Sequence, residues 1–126
     1  DVTHQCYLHQ TRDDHLIGII EFNKPSYELK WGDLEYFRRR TEEFSVMPFP
    51  ECINAMIVDI RNINVFLDNE VPILPWRLLE EDCPVRLVVP QDRLEHYAGL
   101  FEPTWLSTDV DSAIAEIREF MDMFVH

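Results

Sequence analysis

Glycine is scarce: Gly18, Gly32 and Gly99 are the only three in 126 residues, too few and too scattered to build a phosphate-cradling loop. That removes the P-loop and the dinucleotide-binding G-x-G-x-x-G pattern, and no G-x-S-x-G nucleophile elbow is present either. The chain is therefore expected to turn over no nucleotide and to be non-catalytic. Basic residues are also few, 11 against 24 acidic, for a formal net charge of −13 and a pI near 4.6. A field of that sign repels phosphate backbones and anionic headgroups, which disfavours nucleic-acid and membrane partners. Cysteine is limited to Cys6, Cys52 and Cys83. An odd, dispersed set with no C-x-x-C suggests neither a disulfide framework nor a zinc site and fits a reducing, cytoplasmic setting. No apolar run reaches the length of a membrane span, and DVTHQCYLHQ has no basic region ahead of an apolar one. The histidines, His4, His9, His15, His96 and His126, lack metal-ligand spacing and read as surface groups, so neither a metal nor a cofactor is expected.

What is present is ordinary globular composition, 46% hydrophobic and 28% charged, expected to form a single domain over residues 1–126. QCYLHQ (Gln5 to Gln10) and HLIGIIEF (His15 to Phe22) read as the strands of a hairpin. From Trp31 to Phe44 the spacing of Leu34, Phe37, Thr41 and Phe44 draws one buried helical stripe. Beside it Arg38, Arg39 and Arg40 have acidic neighbours at helical spacing, Glu35, Glu42 and Glu43, and read as a salt-bridged solvated face. INAMIVDI (Ile53 to Ile60) and VRLVV (Val85 to Val89) are near-continuous apolar runs, suited to adjacent strands covered on both faces. Between them Val71, Leu74, Leu78 and Leu79 mark a helix. Asp92 is a candidate N-cap for a short helix with Leu94, Tyr97 and Ala98 inward and Gly99 as its stop. PTWLS suggests a last short strand, and a final helix capped by Thr108 or Asp109 turns Ala113, Ile117, Phe120 and Phe124 inward. The expected order is β-β-α-β-α-β-α-β-α, an α/β fold with a single mixed sheet and helices packed on it. Asp59, in an apolar strand, needs a partner if buried. Arg61 is near in sequence but expected on the opposite strand face.

Three segments in this order carry a resemblance. AMIVDIRNINVFLDNE looks like an apolar strand ending in Asp, a turn and a switch motif at a helix start. RLEHYAGLF is similar to a short helix with a leucine, a glycine and a closing phenylalanine, and STDVDSAIAEI to an acidic cap and alanine opening a last helix. Together they resemble the STAS domain, the fold of bacterial anti-sigma factor antagonists, across about the whole chain. In that family the switch motif reads Asp-Ser-Ser-Gly, and its second serine is phosphorylated by a kinase that is also the anti-sigma partner. Carried over, the motif falls on Asp68, Asn69, Glu70 and Val71. Only the Asp survives. No serine or threonine occurs between Ser45 and Thr104, so no small shift of register restores a hydroxyl. Pro75 inside a helix begun at Glu70 would cost about 3 kcal/mol, so the helix is expected to begin irregularly or near Pro75, with too few converging N–H groups to bind phosphate.

The resemblance implies a non-catalytic protein-binding module in signalling, without the phosphorylation switch. Its partner would be an anti-sigma factor or related regulator, with a basic patch to complement this acidic chain. The residues expected to meet it are Asp68, Asn69 and Glu70, Trp76 just beyond them, and Asn23 and Lys24 in the NKPS loop. Helix capping is the simpler role for Asp68 to Glu70, and core or edge packing the simpler role for Trp31, Trp76 and Trp105. A different class of function, a carrier or sensor of a small apolar ligand, is suggested by links between some STAS-like domains and lipids and by the 12% aromatic content. GIIEFNKP and NAMIVDI have a superficial likeness to crotonases, whose oxyanion loops need glycines this chain lacks.

Overall fold

The computed structural model describes residues 2–11, 15–46, 53–65, 67 and 84–124. The helix expected around Val71 to Leu79 lies outside these residues. Strands β1 (Thr3–Gln10) and β2 (Leu16–Lys24) form the expected antiparallel hairpin, with Gln10 opposite Leu16. Helix α1 (Trp31–Ser45) follows, then β3 (Ala55–Ile63), β4 (Val85–Val88), helix α2 (Leu94–Ala98), β5 (Leu106–Ser107) and helix α3 (Val110–Phe124). The five strands make one mixed sheet in the order β1-β2-β3-β4-β5, and every pairing after the hairpin is parallel. The fold is α/β, as the alternating pattern implies.

The two long apolar runs are adjacent, with Met56 opposite Val85 and Asp59 opposite Val88. Both are apolar at consecutive positions because both sheet faces are covered. On one face Ile20, Phe22, Met56, Val58, Ile60 and Leu87 meet Phe37 and Phe44 of α1 and Tyr97 of α2. On the other, Ile17, Ile19, Ala55, Ile57 and Val88 meet Ala113, Ile117 and Met121 of α3. Gly18 makes room for the packing of Phe44 and Ile53 on β2: a Cβ there would lie 3.0 Å from side-chain carbons of both.

Some local expectations are corrected. In α3 the buried stripe runs Ala113, Ile117, Met121, while Phe120 is half-buried; a spacing of four is kept throughout, so Met121 replaces Phe120. PTWLS is mostly a 3-10 turn (Pro103–Trp105), with only Leu106–Ser107 extended. Leu94 is exposed, because a five-residue helix has room for one inward position and Tyr97 holds it. Asp92 lies inside a 3-10 turn, Gln91–Arg93, rather than capping α2. Asp109 does cap α3: its Oδ1 accepts the Ser112 amide at 2.7 Å. On α1 the charged face is salt-bridged as expected, Arg38 to Glu35 at 2.9 Å and to Glu42 at 3.1 Å, but Glu43 takes Arg40 at 2.8 Å.

Candidate functional site

Because β2 to β5 run parallel, their C-terminal ends share one rim, the side on which α/β sheets commonly bind ligands. The β2 end of this rim carries Asn23 and Lys24, opposite Asn62 and Ile63 of β3. The connections leaving the two strands are tied together. Asn64 N donates to the Lys24 carbonyl at 3.1 Å and Asn64 Nδ2 to the Pro25 carbonyl at 2.7 Å. Arg93 reaches from the far side to the carbonyls of Ile63 and Asn64, at 3.1 and 3.2 Å. The residue just before α2 thus holds the exit of β3, and α2 itself holds the next step. The buried Leu67 donates its N–H to Tyr97 Oη at 3.1 Å, and its carbonyl lies 3.3 Å from His96 Nε2. His96 is exposed, yet it is not a plain surface histidine. The chain is therefore pinned at Leu67, directly before Asp68.

Of the residues expected to meet a partner, Asp68, Asn69, Glu70 and Trp76 lie outside the described residues. Asn23 is exposed on the rim. Lys24 is corrected: it is completely buried, with its ammonium 2.9 Å from Asp33 Oδ2 and donating to Ser26 Oγ at 2.8 Å. The signal was in the sequence, since Ile20, Phe22 and Lys24 alternate onto the same inward face. Burial alone would raise the Asp33 pKa, but the Lys30 amide, donating to Oδ2 at 3.0 Å, and the Lys24 ammonium outweigh it and hold the carboxyl below its usual range. Asp33 also lies in the first turn of α1, where negative charge is favourable. One carboxylate thereby fixes the end of β2 to the start of α1.

The segment held by these anchors displays two large aromatic residues. Tyr27 is 79% exposed and Trp31, the first residue of α1, 75%. The exposure of Trp31 corrects the core or edge packing expected from the sequence. That packing fails because Asp33 turns inward at the first helical turn and the buried stripe begins only at Phe37, with Leu34 half-buried. Tyr27 has little signal in the sequence, being only an aromatic between a proline turn and a helix start.

Just inside this end of the rim the β2–β3 pairing is irregular. Glu21 pairs with Asp59 but Asn23 with Asn62, so β3 carries one extra residue, a bulge. The buried Asp59 satisfies the backbone freed there: its Oδ1 accepts both Arg61 N and Arg61 Nε at 3.0 Å, and its Oδ2 accepts Arg61 Nη2 at 2.8 Å. The expectation that Arg61 faces away is thus corrected, as residues two apart share a strand face. Hydrogen bonding to Asp59 raises the Arg61 pKa, which burial lowers, and the charges of Asp59, Glu21 and Asp109 add to the rise. The pair reads as structural, the partner that a buried carboxylate requires.

His4, expected at the surface, is half-buried in a cluster with Phe22 and Tyr36. Its Nδ1 is hydrogen-bonded to Tyr36 Oη, and Arg40 stacks on the Tyr36 ring at 5.2 Å. Burial, then the Arg40 charge, lowers the His4 pKa, with Glu43 opposing. Among the described residues no three His, Cys, Asp or Glu side chains gather as a metal-binding group, and no helix is long and apolar enough to cross a membrane. Comparison of the chain with protein-family models, curated proteins and solved structures returned no match.

Proposed function

We propose that the chain is a non-catalytic protein-binding module of STAS type that meets its partner at the β2 end of the rim, without a phosphorylation switch. The observation that carries the reading is the exposure of Tyr27 and Trp31 on a segment anchored by the Lys24–Asp33 pair. Large aromatics held rigidly in water are what interface hot spots are made of, because they bury much area with little side-chain entropy to lose. The order of the three family-like segments supports the STAS assignment. The charge of −13 favours a regulator with a basic surface, drawn in by long-range attraction. An anti-sigma factor kinase is the first candidate.

The test is calorimetric titration of purified anti-sigma regulators from the same source into the wild-type chain and into Tyr27→Ala and Trp31→Ala. The Trp31→Ala variant should weaken binding by about 30-fold, the scale of a hot-spot residue. Absence of binding by every such regulator, or affinity indifferent to both substitutions, would remove the reading.

A further inference from the structure

The two edges of the sheet differ. At one end β5 is two residues long, too short to template pairing. At the other, β1 runs for eight residues and among the described residues its strand pairing is with β2 alone, so from Thr3 to His9 its outer side offers a long row of backbone groups. Proteins ordinarily guard such an edge with Lys, Pro, an inward charge or a bulge. None occurs here: THQCYLHQ contains no Asp, Glu, Lys, Arg or Pro, and its register with β2 is unbroken from Thr3 to Gln10. Tyr7 and Leu8, on opposite faces of the strand, are 46% and 42% exposed.

We propose that the outer edge of β1 pairs antiparallel with β1 of a second copy, joining two sheets into one across a two-fold axis. Self-complementarity selects this occupant, because an uncharged strand can lie against its own mate without setting like charges side by side. Two copies each carrying −13 repel one another over most of their surface, and β1 is the long edge where no formal charges meet. A two-fold axis normal to the sheet keeps each face on its own side, so facing residues have like parity. Registers centred on Cys6 (Thr3 to His9) or Tyr7 (His4 to Gln10) keep nearly the whole strand paired. Both bring Cys6 opposite or diagonal to its own mate, and Tyr7 likewise. A single-strand contact lies at the small end of specific interfaces, so the dimer should be reversible at micromolar concentrations. Added salt should strengthen it by screening the net repulsion.

Sedimentation velocity over a concentration series tests this directly. The expected result is a monomer–dimer equilibrium, weakened about tenfold by either Tyr7→Lys or Tyr7→Glu through like-charge contact across the axis, and regained when the two variants are mixed. Circular dichroism checks that the variants keep the fold, and Tyr7→Phe should dimerise like the wild type. With Cys52 and Cys83 replaced by serine, a short bismaleimide should join two chains through the exposed Cys6, and Cys6→Ser should abolish the product. A monomer at all concentrations would overturn the proposal. So would a dimer that ignores both Tyr7 charges, weakens with salt or fails to crosslink through Cys6, each of which places the contact elsewhere.

Discussion

The ammonium of Lys24 lies 2.9 Å from Oδ2 of Asp33, with the lysine side chain wholly buried and the aspartate nearly so. The pair joins the last residue of β2 to the first turn of α1 and so sets the path of the segment that displays Tyr27 and Trp31. A double-mutant cycle with Lys24→Met and Asp33→Asn should give a coupling of about 2 kcal/mol, against about 0.5 kcal/mol or less for the exposed Arg38–Glu42 pair, where water screens the charges. Because the folded-state pKa of Asp33 is lowered, its share of stability is present above the ordinary carboxylate range and lost as pH falls below about 4. Urea melts along an acid series should show that loss reduced in Asp33→Asn.

Arg61→Ala should destabilise the protein by about 3 kcal/mol, since it strips a buried carboxylate of its counter-charge and leaves only the Arg61 amide as donor. Arg61→Lys should recover only part of that, because an ammonium cannot span both oxygens of Asp59 as the guanidinium does. Urea midpoints at neutral pH measure both.

Protonation of His4 should weaken the fold. Its pKa is lowered in the folded state, so the unfolded chain takes up the proton first. Stability is then full above about pH 6.5 and falls as pH drops from there toward the folded-state pKa. The drop in urea midpoint between about pH 7.5 and about pH 5 should be smaller in His4→Gln than in the wild type. Equal drops would show that the Tyr36 cluster leaves the imidazole free to charge.

On the proposed STAS reading Glu70 takes the place of the switch hydroxyl, and the stretch from Val65 to Trp76 holds no serine, threonine or tyrosine, so no phosphate should enter it when the protein is incubated with ATP and an anti-sigma kinase from the same source. Peptide mapping by mass spectrometry reads this. A glutamate carries one charge where phosphoserine carries about −1.5 to −2, so the site should behave as permanently, if weakly, charged. On that account Glu70→Lys should lower affinity for a basic partner and flatten its salt dependence.

The sequence by itself determined the alternation of strands and helices, the hairpin, the two doubly covered strands and a cap of the last helix at Thr108 or Asp109, of which the structure uses Asp109. Each is a local pattern: apolar spacing of two, of four or unbroken, and a short polar side chain before a helix. Even the burial of Lys24 and the shared face of Asp59 and Arg61 were legible to a strict period of two. Tertiary structure decided what no local period contains. The extra residue in β3 appears only against β2, and the use of Asp59 to satisfy it follows from that mismatch. Leu67 is fixed by Tyr97 and His96, some thirty residues away. Trp31 faces water because Asp33, drawn inward by Lys24, starts the buried side of α1 beyond it. Side-chain direction at a helix end is set by the partner across the fold, and sequence spacing carries no record of that partner.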